Sequence, residues 1–215
     1  MASKITLYHG SKSGLQGAIR PDMSDGSNDF GAGFYMGTDV NQPKTLICRA
    51  EDPVFYTLEL DLARLKVHQF EADEEWAMFV AYNRGLLEKH RDSGFYRRFE
   101  NLRREYDVVF GKIANDKLFN VLTLFFDGLI GLPALVKSLT ALNIGDQYCA
   151  ISRKACGKIR IVGEKRFCEA ELRKFRERSE NQRRRATVEA DKICRKFRRE
   201  GEFFDEIVER WRKHG

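Results

Sequence analysis

The sequence predicts an α+β domain over residues 1–163, followed by a charged helical extension over residues 164–215. Three observations predict it. Short β-branched segments are interleaved with apolar stripes of helical spacing, so strands and helices alternate irregularly along the chain. No strand is followed by a G-x-G-x-x-G turn opening a helix, which argues against a doubly wound dinucleotide fold. After Gly163, glycine disappears until Gly201 and the chain turns charged and helix-forming.

The elements follow in order. Ile5–Tyr8 is an apolar strand that runs straight into His9-Gly10-Ser11. Lys12–Asn28, rich in Gly, Ser, Asp and Pro, reads as loop. Phe30–Gly37 is dense in glycine and aromatics, and Thr38-Asp39 offers an N-cap for a helix running to Ala50. Pro53 opens the strand Val54–Leu60, whose alternation places Val54, Tyr56, Leu58 and Leu60 on one face. Asp73–His90 is helical, with Trp76, Phe79, Val80, Asn83 and Leu87 as its buried stripe. Val108–Ile113 is a strand, Asp116–Phe126 a helix and Pro133–Leu142 a short amphipathic helix. Tyr148–Ile151 and Ile159–Val162 are closing strands, and no internal repeat is found.

Composition narrows the class. The 215 residues are 42% hydrophobic and 33% charged, with a mean hydropathy of −0.50, as expected of a soluble protein. The N-terminal MASKITLYHG lacks the uninterrupted apolar run of a signal peptide or membrane span. Val121–Leu135 is interrupted by Asp127 and Gly131 and fits a buried core segment. The expected location is therefore cytoplasmic, with no membrane partner. Five cysteines (Cys48, Cys149, Cys156, Cys168, Cys194) form no C-x-x-C pair, and there is no H-E-x-x-H, so reduced thiols and no metal are expected. The net charge of +6 is uneven: Glu164–Lys213 holds 17 Lys+Arg against 12 Asp+Glu, and the remainder is almost neutral.

Three clusters carry chemistry. Tyr8-His9-Gly10-Ser11 presents an imidazole, a glycine and a hydroxyl together at a strand end, suited to close approach by a flat ligand or simply structural. In Phe30-Gly31-Ala32-Gly33-Phe34-Tyr35-Met36-Gly37, Gly31 and Gly33 flank a tight path, and Tyr35 can place its ring over a planar heterocycle. The alternative is a glycine-rich hairpin with core aromatics. Asn143-Ile144-Gly145-Asp146-Gln147-Tyr148-Cys149 is a turn entering a strand, with Asp146 and Gln147 at the entry; it also reads as an ordinary capped turn.

Taken in order, His-Gly-Ser, Gly-x-Gly-Phe-Tyr and the Asp-Gln-Tyr strand entry resemble the ADP-ribosyltransferase superfamily over Lys4 to Ser152. The branch is the His-Tyr-Glu one of diphtheria-type toxins and poly-ADP-ribose polymerases, and the chain looks closest to a group of small uncharacterised bacterial proteins within it. The resemblance implies a split β-sheet core with flanking helices, and NAD as co-substrate. It implies that His9 bonds the ribose beside nicotinamide, the Gly10 backbone holds the carboxamide, Ser11 supports the same amide, and Tyr35 stacks on the nicotinamide ring. Gly33 belongs to the same binding path. Gln147 falls where the family has its catalytic glutamate. Cleaving the nicotinamide–ribose bond builds positive charge on the ribose, so groups that orient its hydroxyls and stabilise that charge lower the barrier.

The chain departs from the family at two positions. Gln147 is neutral, and strand alternation turns Asp146 to the opposite face. Leu46 stands where the family has a second aromatic. A further segment, Phe110–Lys117, has two readings: Lys112 meets the pyrophosphate or an acceptor at a helix N-terminus, or Asn115 or Asp116 simply caps the following helix.

In the extension, Arg183-Arg184-Arg185 and Arg195-Lys196-Phe197-Arg198-Arg199 are interspersed with acids. Phe167, Leu172, Phe175, Val188, Ile193, Phe197, Phe203, Ile207 and Trp211 recur at helical spacing. Three readings fit: helices packing on the domain, phosphate contacts to RNA or DNA, or docking of a neutralising antitoxin. The expected function is that of an NAD-dependent mono-ADP-ribosyltransferase, a glycosyltransferase modifying nucleic acid or protein. The resemblance places it in a bacterial toxin–antitoxin or phage-defence setting. The alternatives are an NAD glycohydrolase and an inactive module that binds nucleic acid or protein.

Overall fold

The computed structural model describes residues 3–24, 26–114, 119–141 and 144–214, which form one seven-stranded sheet and eight helices. The α+β class therefore holds. The cap at Asn115 or Asp116, together with Lys117 and Asn143, lies outside the described residues.

β1 (Lys4–Ser11) pairs antiparallel along its whole length with β3 (Val54–Asp61), and β3 carries β7 (Ile159–Arg166) at one sheet edge. In a second group, β2 (Phe34–Gly37) pairs with β6 (Asp146–Ala150) and β6 with β5 (Val108–Lys112). The short strand β4 (Val67–Gln69) runs parallel to β5 at the other edge. The order is β4-β5-β6-β2-β1-β3-β7. The two groups meet at β1 and β2, whose ladder consists of one pair, Tyr8↔Gly37. The sheet is continuous in order but nearly divided at that seam.

The predicted alternation of β3 is observed: Val54, Tyr56, Leu58 and Leu60 are all buried. β7 continues past Val162 to Arg166, because an edge strand with one solvated face needs no apolar alternation and is well served by charge. α1 (Gln42–Ile47) is shorter than predicted, with Pro43 in its first turn; the Asp39 carboxylate accepts from the Asn41 and Gln42 amides just ahead of it.

α2 (Glu74–Asn83) starts where expected, with the Asp73 side chain accepting from Trp76 N, but stops well before His90. Gly85 takes φ 75°, and the Leu86 amide bonds back to Ala81 O, the hydrogen-bond pattern that terminates a helix on a left-handed residue. Of its predicted stripe, Trp76, Phe79 and Val80, with Leu87 just beyond, are buried, and Asn83 is half-buried with its amide donating to Phe79 O and Asp29 O. Together with α3 (Gly94–Glu105), α4 (Phe119–Phe126) and α5 (Leu132–Leu139), α2 builds one apolar cluster against Val109 and Cys149 of the sheet. The opposite face holds a second cluster of Leu7, Phe34, Met36, Leu58 and Leu60, closed by Ala155 and Cys156 of α6 (Arg153–Cys156).

The extension folds back on the domain. α7 (Glu169–Phe197), about 44 Å long at 1.5 Å per residue, buries Leu172, Ser179, Ala186 and Ala190 along one stripe. Val188, expected to be apolar and packed, is exposed, because it lies two residues from Ala186 and so on the far side of the helix. Arg49 pairs with Glu180 at 2.7 Å, tying α7 to the residues just after α1. α8 (Phe204–His214) buries Phe204, Ile207 and Val208. Its Arg210 and Trp211 both bond the Glu74 carboxylate at the start of α2. Among the described residues no helix is long and apolar enough to cross a membrane, and no cluster of His, Cys, Asp and Glu forms a metal site.

Candidate functional site

The seam is marked by a side chain. His9 Nδ1 lies 2.7 Å from Tyr35 O across the two strands. A carbonyl oxygen only accepts, so Nδ1 carries the proton and the neutral ring keeps its Nε2 lone pair. The imidazole stacks on Phe34 at 4.4 Å between centroids, and burial holds its pKa below the ordinary value.

Tyr35 is anchored at its far end. Its hydroxyl donates to Gly31 O at 2.6 Å and accepts from Phe30 N at 3.0 Å, which fixes the ring plane. Burial pushes the phenol far above its ordinary pKa, so the hydroxyl serves as an anchor and not as an acid. Gly31 adopts φ 75°, and a Cβ there would meet Arg103 Nη1 and Asn83 Oδ1 at 2.5 Å. Arg103 donates to Phe30 O and Ala32 O, and Asn83 Nδ2 to Asp29 O. Helices α2 and α3 thus clamp the loop that precedes β2.

Gln147 sits beneath this loop, opposite Gly37 in the β2–β6 ladder, and is 7% exposed. Its Nε2 donates to Asp29 Oδ2 at 2.8 Å, so the amide orientation is set by a carboxylate that only accepts. The Gln147 Oε1 is left to serve as an acceptor. Asp29 Oδ2 also accepts from Ala114 N at 2.9 Å, and Oδ1 pairs with Arg84 at 2.5 Å. Asp29 and Arg84 side chains are 6% and 8% exposed, which makes this a buried pair. Cys149, two residues along β6, is not a nucleophile: burial pushes its thiol up to about 12.

These groups line one cleft of about 720 Å³, a volume within the usual range of small-ligand sites. The structure brings His9, Gly10, Tyr35, Leu46 and Gln147 together there, with Asp29 beside them. Leu46 is 62% exposed at its edge. Ser11, Gly33 and Lys112 are not among the lining residues. Ser11 lies at the end of β1 opposite Val54. Gly33 is buried behind the cleft, where a Cβ would lie 2.2 Å from Cys149 Sγ, so it permits close packing of the chain entering β2 against β6. Lys112 pairs with Asp146 at 2.8 Å, one residue from Gln147 and on the opposite face of β6.

Asp29 is the residue missed by sequence reading. It falls between the loop and the glycine-aromatic run, and its contacts at the cleft are with Arg84, Ala114 and Gln147, all far away in the sequence. The wall contributed by α7, formed by Arg178, Ser179, Gln182 and Arg183, was missed as well.

The buried imidazole has a consequence for stability. His9, His68 and His90 are all held below the ordinary value near 6.5, in each case chiefly by desolvation. Below that pH the unfolded chain binds more protons than the folded one, so stability is complete above about 6.5 and falls as pH drops. The urea midpoint is expected to be lower at pH 5.5 than at pH 7.5, and His9→Gln should shrink the difference. An unchanged difference in that variant would remove His9 from the account.

The fold is that of an α+β protein with a cleft at a sheet seam. Residues 5–161 match the model of a protein family of unknown function, DUF3990. The match spans well over half of the chain, so the chain belongs to that family. It covers β1 through the first residues of β7 and ends before α7. Comparisons with curated proteins and with solved structures gave no match.

Proposed function

We propose that this chain binds NAD in the seam cleft and transfers its ADP-ribose to a macromolecule. One observation carries the reading. His9, Tyr35 and Gln147, which the sequence places 26 and 112 residues apart, converge on one cleft with their hydrogen bonds already committed so as to leave particular groups facing a ligand. His9 Nε2 accepts from a ribose hydroxyl. The Tyr35 ring, fixed at its hydroxyl, forms a platform for the nicotinamide. Gln147 Oε1 accepts from a second ribose hydroxyl, and the buried Asp29 carboxylate polarises the amide through Nε2 so that this oxygen gains electron density.

The bond that breaks is the one between ribose C1′ and the nicotinamide nitrogen, whose electron pair leaves with nicotinamide. An acceptor nucleophile bonds to C1′ and gives up its proton. Preorganised acceptors around the ribose stabilise the positive charge that builds up between these events.

The test is incubation of the purified chain with NAD labelled in the adenylate and a whole-cell extract, half of each reaction then being treated with RNase or protease. Macromolecular label is expected, reduced about 10²-fold in His9→Ala, in line with the loss of one preorganised polar contact. Free ADP-ribose without labelled macromolecule would replace transfer by hydrolysis. No nicotinamide release at all would mark the cleft as a binding site without turnover.

A further inference from the structure

The cleft has a cationic wall that comes from outside the family-matched segment. Arg178, Ser179, Gln182 and Arg183 of α7 line it, facing Lys12 from the loop after β1. Ser179 and Gln182 form the middle of this wall, and the two arginines flank it, roughly 7.5 Å apart along the helix axis. Among the described residues, the ion pairs do not engage Lys12, Arg178 or Arg183, and Glu180 on the same helix is taken by Arg49. The acids that line the cleft are already used: Asp29 pairs with Arg84, and Asp39 accepts from the Asn41 and Gln42 amides. At the buried end Asp29 is neutralised by Arg84, so among the described residues Asp39 is the one lining acid without an ion pair, set against three cations, Lys12, Arg178 and Arg183; the balance of the cleft is positive. Guanidinium groups flanking a polar strip suit phosphate oxygens, which they bind through paired N–H donors.

We infer that Arg178 and Arg183, with Lys12 opposite, form a phosphate-binding subsite for the nucleotide that occupies the cleft. The inference rests on reading the cleft as a nucleotide site. The helix carrying the two arginines is held against the domain by its buried stripe of Leu172, Ser179, Ala186 and Ala190, which sets where both guanidinium groups reach the cleft.

The test is calorimetric titration of the full chain with NAD, ADP, inorganic pyrophosphate and nicotinamide riboside, the last lacking phosphate. The variants are Arg178→Gln/Arg183→Gln and, as a charge-matched control on the same helix, Arg184→Gln/Arg185→Gln, both of whose residues are exposed and outside the cleft. The first pair is expected to weaken NAD, ADP and pyrophosphate at least tenfold and to leave the riboside unchanged; the control pair should bind all four like the native chain. NAD binding that survives the first pair, or an equal loss in the control, overturns the subsite while leaving the transferase reading intact. Pyrophosphate and ADP binding that depends on Arg178 and Arg183, in a chain that ignores NAD, upholds the subsite and overturns the transferase reading.

Discussion

Asp29→Ala is expected to destabilise the chain by about 3–5 kcal/mol, the range for removing one member of a buried ion pair. Arg84 loses the carboxylate 2.5 Å away, and the Ala114 amide and Gln147 Nε2 lose their acceptor. Urea unfolding measures this directly, and a loss below 1 kcal/mol would show that the network around Asp29 is not structural. Asp29→Asn separates the structural role from the chemical one. It keeps the shape and one acceptor oxygen but removes the counter-charge of the buried Arg84, so it too should lose stability, by less than Asp29→Ala, while releasing the Gln147 amide from its fixed orientation; activity is therefore compared at a temperature where urea unfolding shows the variant folded. Under the proposed activity, kcat for nicotinamide release should fall about 10²–10³-fold with little change in KM, because the oriented amide acts as charge develops on the ribose. A matching rise in KM would assign Asp29 to ground-state binding instead.

Trp76→Ala should destabilise by about 3–5 kcal/mol, as expected for deleting a large buried aromatic residue. Trp76 is fully buried in the larger apolar cluster, and its indole N–H donates to Lys112 O at 3.1 Å. At this chain length the melting temperature should fall by roughly 10 °C. Trp76→Phe retains most of the apolar volume and loses the donor, so about 1 kcal/mol is expected from the hydrogen bond alone, plus the packing change. A drop of under 1 kcal/mol in Trp76→Ala would mean that neighbouring side chains collapse into the space. Gln147 Nε2 also approaches Lys112 O, at 3.5 Å, so loosening this point reaches the cleft.

Much of the fold was legible where burial imposes a simple period. β3 was read residue by residue because its alternate positions lie in a core; on α2 the stripe picked out Trp76, Phe79 and Val80, but Ala77, Met78 and Ala81 between them are buried as well and Asn83 only partly. α3 was overlooked although Phe95, Phe99 and Leu102 fall at i, i+4 and i+7, a helical stripe set among four arginines and other polar residues. β4 is three residues long, too short for any alternation to register. At the cleft, His9, Tyr35 and Gln147 were legible as lining residues because each lies at a strand position within a short motif. Asp29 and the α7 wall were not, because they reach the cleft through long-range contacts that no local pattern records. Lys112, read as meeting the pyrophosphate or an acceptor, is paired with its cross-strand neighbour Asp146 away from the cleft lining, an attraction between adjacent strands that the sequence pattern does not display.

The single Tyr8↔Gly37 pair between β1 and β2 amounts to a missing set of rungs in the middle of a sheet. Continuing its register would set Gly10 opposite Tyr35, but the Tyr35 carbonyl is already satisfied by an imidazole. The protein thereby acquires two strand edges facing inward. Outer edges must be defended against stray chains; these are shielded by the molecule itself and remain open only to something small. Under the proposed function, main-chain amides and carbonyls along these edges meet the nucleotide whichever side chains flank them, in geometry that substitutions leave largely untouched.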